Sequence, residues 1–396
     1  MKTRKIGVIL LALLLAAMAI VPMVSAGDKS SMNESITSSL PQLQFEANQK
    51  NVLVHDELKL DNSTESSQIM KLVQESEHPI ITKIPFGAIV YHSKSRDTTV
   101  FDSTGKQLFT VTDLQTEKVL TPAGLKPATH VFEVPSGSDV QVSGSTTKIA
   151  LAGTRVLTII DEASAVSLPL SVSNWPWQYI EGGEATLSGS AGEFTARWTV
   201  PSNPPQTVPG GSGSSGSQVM LWNGVHTTTT PYRLIQPVLE WHKKDYQSDP
   251  NPPAAWSIAS WFAYSSGAVH SPRQYGIYSG DTIQGRMTYS TSYNYWNIAT
   301  SDLSRGINTY LTVSNSMPNS NVEIMIILEG IGLTNNNHIC GDTTFNNFVV
   351  LNTNGVSIRP SSITTAVNPS GWWTGKLTGL GVSNNWPNSL TLNTYN

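Results

Sequence analysis

The chain has 396 residues with 24 basic and 28 acidic side chains, so it lacks the cationic footprint that nucleic-acid binding needs. Its one cysteine, Cys340, excludes an internal disulfide and any zinc site built on cysteine pairs, which leaves stability to a packed core. The length allows two or three domains.

Lys2, Arg4 and Lys5 precede an apolar run from Ile6 to Val24, closed by Val24-Ser25-Ala26. A basic start, an apolar middle and small residues at the end predict a signal peptide over 1–26, cleaved after Ala26, and hence a secreted, extracellular protein. The run is nearly long enough to be an anchor. Pro22 and the small residues favour cleavage, after which no membrane association is expected. Residues 27–79 read as a flexible polar leader, with spacing that allows a short helix over Ser66–Glu77. Glycosylation sequons stand at Asn33 and Asn62.

Residues 80–170 predict a small β domain or pro-region with a linker. Short strand patterns cover Gly87–Ser93, Thr98–Ser103, Lys106–Thr112, His130–Val134, Thr147–Ala152 and Thr154–Ile160, with a hairpin turn at Asp102–Gly105. The linker is Ala163–Asn174, and a processing site is expected between Glu162 and Trp175. Composition then changes. All eleven tryptophans lie between Trp175 and Trp386, and charge becomes sparse.

Residues 171–396 form the large domain. Gly192–Val200 alternates cleanly, and Pro201–Ser217 is a Pro/Gly/Ser-rich loop. Further strand patterns lie at Ser217–Val225, Tyr232–Trp241, Ala254–Tyr264, Gln274–Ser290, Tyr295–Asp302, Asn308–Ser314 and Thr343–Thr353. No amphipathic helix interrupts them, so the fold class is all-β, a two-sheet antiparallel sandwich. Pro237 inside its strand predicts an edge position or a bulge.

Several chemistries drop out. There is no H-E-x-x-H motif, and His226, His242, His270 and His338 lack metal-ligand spacing. Neither a G-x-S-x-G elbow nor a nucleotide-binding loop occurs, so neither metal nor cofactor is expected. Cys340 and His338, two residues apart, do not make a dyad.

Carboxylates and an amide remain. In Asn321–Gly332, Val322, Ile324, Ile326 and Leu328 alternate with Glu323, Met325, Ile327 and Glu329. The first set should face a core. The second places Glu329 on a greasy surface, where desolvation raises a carboxyl pKa and suits it to acid/base work. On the strand Leu234–Trp241, Gln236 and Glu240 share a face. Trp222, Trp241, Trp256 and Trp261 are either core residues or a substrate cradle.

In serial order, several segments resemble the fungal glutamic peptidases, or eqolisins, between Gly182 and Leu351. They are Glu193–Pro201, Leu221–Val225, Leu234–Glu240, Ala254–Phe262, Tyr278–Ile283, Ile326–Gly330 and Phe345–Val350. The resemblance implies a concanavalin-like sandwich and a catalytic pair of Gln236 and Glu329 facing one cleft and sharing a water. It also implies substrate contacts from Trp222, joined by Trp256 and Trp261, and a pro-region over the cleft. His226 and Pro237 depart from the family's pattern. Neprosin-type peptidases, which use two glutamates, are a looser comparison and make Glu240 the alternative partner. The expected activity is acid-active endopeptidase cleavage of a protein or peptide substrate. The alternative is a non-catalytic, lectin-like sandwich that binds carbohydrate (a glycan) or peptide.

Overall fold

The computed structural model describes residues 84–113, 118–121, 124–162, 176–208, 216–242 and 253–395. The signal peptide, the leader with its helix and sequons, and the linker lie outside these residues. Among the described residues no helix is long and apolar enough to cross a membrane.

The N-terminal part contributes β1 (Ala88–His92), β2 (Asp97–Phe101), β3 (Gln107–Thr112), β4 (Lys118–Thr121) and β5 (Gly124–Pro127). A 3-10 turn, Ala128–His130, leads into β6 (Val131–Glu133), β7 (Asp139–Ser143), β8 (Thr146–Leu151) and β9 (Thr154–Asp161). Next come β10 (Tyr179–Thr186), β11 (Ala191–Thr199), β12 (Gln218–Thr227), β13 (Arg233–Trp241) and β14 (Trp256–Tyr264). They are followed by β15 (Ala268–His270), β16 (Gln274–Ile277), β17 (Thr282–Ser290), β18 (Tyr295–Asp302) and β19 (Ile307–Ser314). The chain continues with β20 (Val322–Ile331), β21 (Thr343–Asn352), β22 (Thr364–Val367), β23 (Gly381–Asn385) and β24 (Ser389–Asn393).

These strands make an all-β sandwich. One sheet has thirteen strands in the order β23-β24-β21-β11-β17-β18-β19-β7-β8-β9-β1-β2-β3. The other runs β22-β10-β20-β12-β13-β14-β15-β6, with β16 beside β14. Pairing is antiparallel except for β1 on β9, β6 on β15 and β7 on β19. Through the last two, the N-terminal strands extend both large sheets. The β4–β5 hairpin is a separate two-stranded sheet. The expected turn after β2 is present: Asp102 Oδ1 accepts the Thr104 and Lys106 amides at 2.8 and 3.0 Å, and Gly105 takes φ 89°.

Between the sheets lies the main core, where Val322, Ile324, Ile326 and Leu328 of β20 meet Phe194, Trp198, Ile283 and Trp296. The opposite face of the same sheet is also buried. There Met325 and Ile327 pack with Met220, Trp222, Val238 and Trp261, and with Val119, Leu120 and Val131 of the N-terminal part. Alternation on β20 therefore separates two apolar layers, each filled by different parts of the chain.

Pro237 corrects an expectation. It stands in the middle of β13, a strand that lies between β12 and β14 rather than at an edge. It pairs with Ser260 of β14, while the ladder to β12 passes from Val238 to Ile235 without a register shift. Its ring fills the space above Gly285 on the facing sheet, where an added Cβ would come within 2.8 Å of Pro237 Cβ and 2.0 Å of Asn223 Oδ1. A close inter-sheet approach thus accommodates the ring.

Glu181 on β10 is fully buried, and its Oε2 accepts the Gly381 amide at 2.8 Å. Burial pushes its pKa up to about 9, against the lowering effect of that hydrogen bond. The folded chain therefore keeps this proton where the unfolded chain has lost it. Stability is full below the ordinary glutamate value and falls by roughly 1.4 kcal/mol per pH unit above it, up to the raised value. Glu181→Gln should raise the melting temperature at pH 8 by roughly 5 °C or more and leave it nearly unchanged at pH 4, as measured by thermal unfolding at the two pH values.

Candidate active site

Five strands with wholly or almost wholly buried residues, β10, β20, β12, β13 and β14, lie side by side and form the face of interest. Register fixes what shares a row. Tyr179, Glu329, Met220, Glu240 and Ser257 are successive partners across the sheet. In the next row of the same face stand Ile327, Trp222, Val238 and Ala259, and in the one after it Glu184, Met325 and Gly224. Gln236 lines up with Gly224 and pairs with Trp261, which pairs with His270.

Glu329 is fully buried, and its Oε2 accepts the Trp222 indole N–H at 3.1 Å. Tyr179 stands edge-on to Trp222, ring centroids 5.6 Å apart. Burial first, then their mutual proximity and the Glu329 charge, raises the Tyr179 phenol well above its ordinary value, and burial and the same carboxylate raise Tyr232. Both are therefore held as neutral hydrogen-bonding groups near Glu329. Sequence reasoning missed them. Alternation on β13 puts Tyr232 on the face of Leu234 and Gln236, which was a usable signal; Tyr179 becomes a neighbour only through the β10–β20 pairing.

Gln236 is also fully buried, and neither its Oε1 nor its Nε2 has a hydrogen-bond partner. An unsatisfied buried amide costs about 1–3 kcal/mol, so this group is unusual. It lies on the same face as Glu329 but two strands and four residues away, roughly 13 Å along the strands and 10 Å across them at the backbone. Trp222 occupies the ground between. Its indole N–H holds Glu329, while a Cβ placed on Gly224 would be 3.1 Å from the far edge of the ring and 3.0 Å from Gln236 Cγ. Carboxylate, indole and amide thus form one line over a glycine that leaves the floor open.

Glu240 is occupied. Its Oε1 accepts the Trp261 indole N–H and its Oε2 the Arg273 Nε–H, both at 2.6 Å and buried. Trp261 also stacks on His270 at 4.4 Å. Trp256, expected among the substrate contacts, points the other way: it packs in the main core, 5.2 Å from Trp241, and donates to Asn203 Oδ1. Trp261 is five positions after Trp256, an odd offset, so the two face opposite sides of a strand.

At the far end of the face, Glu184, His226 and Glu323 bring ligand-type atoms within 4.8 Å of one another. Two carboxylates and an imidazole suit a divalent cation. Here His226 Nε2 sits 3.0 Å from Glu323 Oε2, and Thr186 donates to Glu323 Oε1 at 2.5 Å. Burial works against the Glu323 charge, but these hydrogen bonds outweigh it and hold its pKa low.

The face is covered. Val119 and Leu120 of β4, Ala128 of the 3-10 turn and Val131 of β6 belong to the same apolar cluster as Trp222, Met220 and Tyr179. Gly124 of β5 lies 3.7 Å, from an added Cβ, to the Gln178 side chain next to Tyr179. The N-terminal part therefore seals Glu329 and Gln236 from solvent.

The Arg273–Glu240 pair makes a measurable demand on stability. Arg273→Met strands a buried carboxylate and should cost about 3–5 kcal/mol, read as a lower urea midpoint. Adding Glu240→Leu to it should restore most of the loss.

No family model matches the sequence, and no curated protein matches it. Among solved structures, scytalido-glutamic peptidase with a transition state analog inhibitor is 15% identical, with 55% of this chain and 98% of that chain covered, at a TM-score of 0.36. SCP-B, a member of the Eqolisin family in a complex with the tripeptide Ala-Ile-His, is 16% identical over 55% of this chain and 98% of that one, at 0.35. The CBM2 module of Lactobacillus casei BL23 phage J-1 evolved Dit is 15% identical over 37% and 60%, at 0.24. At these values each is a distant structural resemblance.

Proposed function

We propose that the chain is a secreted glutamic-type endopeptidase in a closed, latent form. The observation that carries this reading is the line Glu329–Trp222–Gln236: a buried carboxylate held by an indole N–H and a buried amide with no partner, on one face, under a cover drawn from another part of the chain. Glu329 takes a proton from water as that water attacks a peptide carbonyl. The Gln236 Nε2–H groups donate to the oxyanion that forms. Glu329 then passes the proton to the leaving amine. With both Glu240 oxygens already engaged, the partner role falls to Gln236.

Incubating the full chain with a denatured protein over pH 3–8 tests this. Cleavage should occur on the acid side of neutrality. Glu329→Gln should lower the rate at least about 10²-fold, and Gln236→Ala should lower it through the lost oxyanion donor. Glu193→Gln, on the opposite sheet, should behave as wild type. Undiminished cleavage by Glu329→Gln would overturn the reading.

A further inference from the structure

Where β1 meets the 3-10 turn that follows the covering hairpin, there is a buried pair of histidines that the catalytic reading does not use. His92 at the end of β1 and His130 in the 3-10 turn stack with ring centroids 3.7 Å apart and planes 18° from parallel. Both are buried. Their surroundings treat them differently. His130 Nε2 lies 3.0 Å from Asp113 Oδ2, so a charge on this ring has a counter-ion. The Thr98 hydroxyl donates to Asp113 Oδ1 at 2.6 Å and so accepts from His92 Nδ1–H at 2.7 Å. That fixes the His92 tautomer with a bare Nε2, which is buried and has no partner.

The same turn ties the cover to the large domain. His130 Nδ1 is 2.9 Å from the Ser266 carbonyl, and Lys126 of β5 donates to the Ser265 carbonyl at 2.7 Å. Both acceptors belong to one loop between β14 and β15. Other charged groups nearby are Asp161, the register partner of His92 on β9, and Glu162 after it. Asp161 and Glu162 also line a cavity of about 440 Å³, with Lys94, Arg233 and Tyr264.

We propose that the His92–His130 stack is an acid-operated latch: while His92 is neutral it holds the Lys118–Pro127 hairpin over the Glu329 face, and a proton on His92 drives the hairpin off. The inference rests on the peptidase reading only for what is uncovered, not for the opening itself. Burial above all, and then the charge of His130, holds His92 well below the ordinary histidine value, against the pull of Asp113. Burial also opposes the Asp113 charge, but hydrogen bonds from His130, Thr98 and Thr129 keep its pKa low, so the anion persists in mild acid. A group whose pKa is depressed in the closed form stabilises that form fully above its ordinary value and progressively less below it. Each pH unit below about 6.5 therefore favours the open form by up to about tenfold.

Hydrogen exchange on the full chain reads the latch without reference to activity. Amides of residues 118–127 should be protected at pH 7 and lose protection, after correction for intrinsic rates, by pH 4, while β6, β12 and β20 stay protected. His92→Gln keeps a partner for Thr98 and does not titrate, so it should stay closed to at least one pH unit lower. His92→Phe, which keeps the stacked ring, provides a second variant with the same expectation. Three results would overturn the proposal: a hairpin still protected at pH 4 in the wild type, opening at the same pH in both variants, or loss of protection throughout the sandwich together. Opening as expected but without proteolysis would uphold the latch and defeat the peptidase reading.

Discussion

The sheet built from β10, β20, β12, β13 and β14 is buried on both faces, and that constraint governs the rest of the molecule. One face is taken by the facing sheet, the other by strands from residues 118–131. A polar side chain placed on either face must find a partner or carry an energetic penalty. Glu240 finds Arg273 and Trp261, Glu329 finds Trp222, and Glu323 finds His226 and Thr186. Gln236 breaks this pattern, with both amide atoms unpaired. A group tolerated at such a cost is better explained by something it binds than by the packing around it.

Double burial also determines how much could be read in advance. The clean alternation of Val322–Glu329 is visible in sequence because its second face still carries glutamates, and the structure follows it residue by residue. The shared face of Leu234, Gln236, Val238 and Glu240 was legible for the same reason. Tryptophan identity, by contrast, misled. Trp256 and Trp261 look alike in composition, and only their odd spacing reveals that one belongs to the main core and the other to the covered face. The rule against proline in central strands failed at Pro237 because the exception depends on Gly285, far away in the chain and opposite it in space.

Least legible was the cover itself. Nothing in the pattern of residues 118–131 names the surface they pack on, since pairing of β6 with β15 and of β7 with β19 joins segments more than a hundred residues apart. Arg273 was similarly silent. Its importance comes from a fully buried carboxylate on another strand. In a domain so sparing with charge, however, every buried cation deserved a search for its anion.

The β4–β5 hairpin shares no ladder with either large sheet. Lifting it breaks side-chain contacts and the Lys126 bond to the Ser265 carbonyl, while β6 and β7 keep their backbone pairing on β15 and β19. The neighbouring strands thus act as a fixed tether. They keep the hairpin at high local concentration over its own landing site, and a segment held in this way recloses far faster than a diffusing inhibitor could return. Opening is thereby a reversible equilibrium rather than a commitment, and only a cut in the tether would make it permanent.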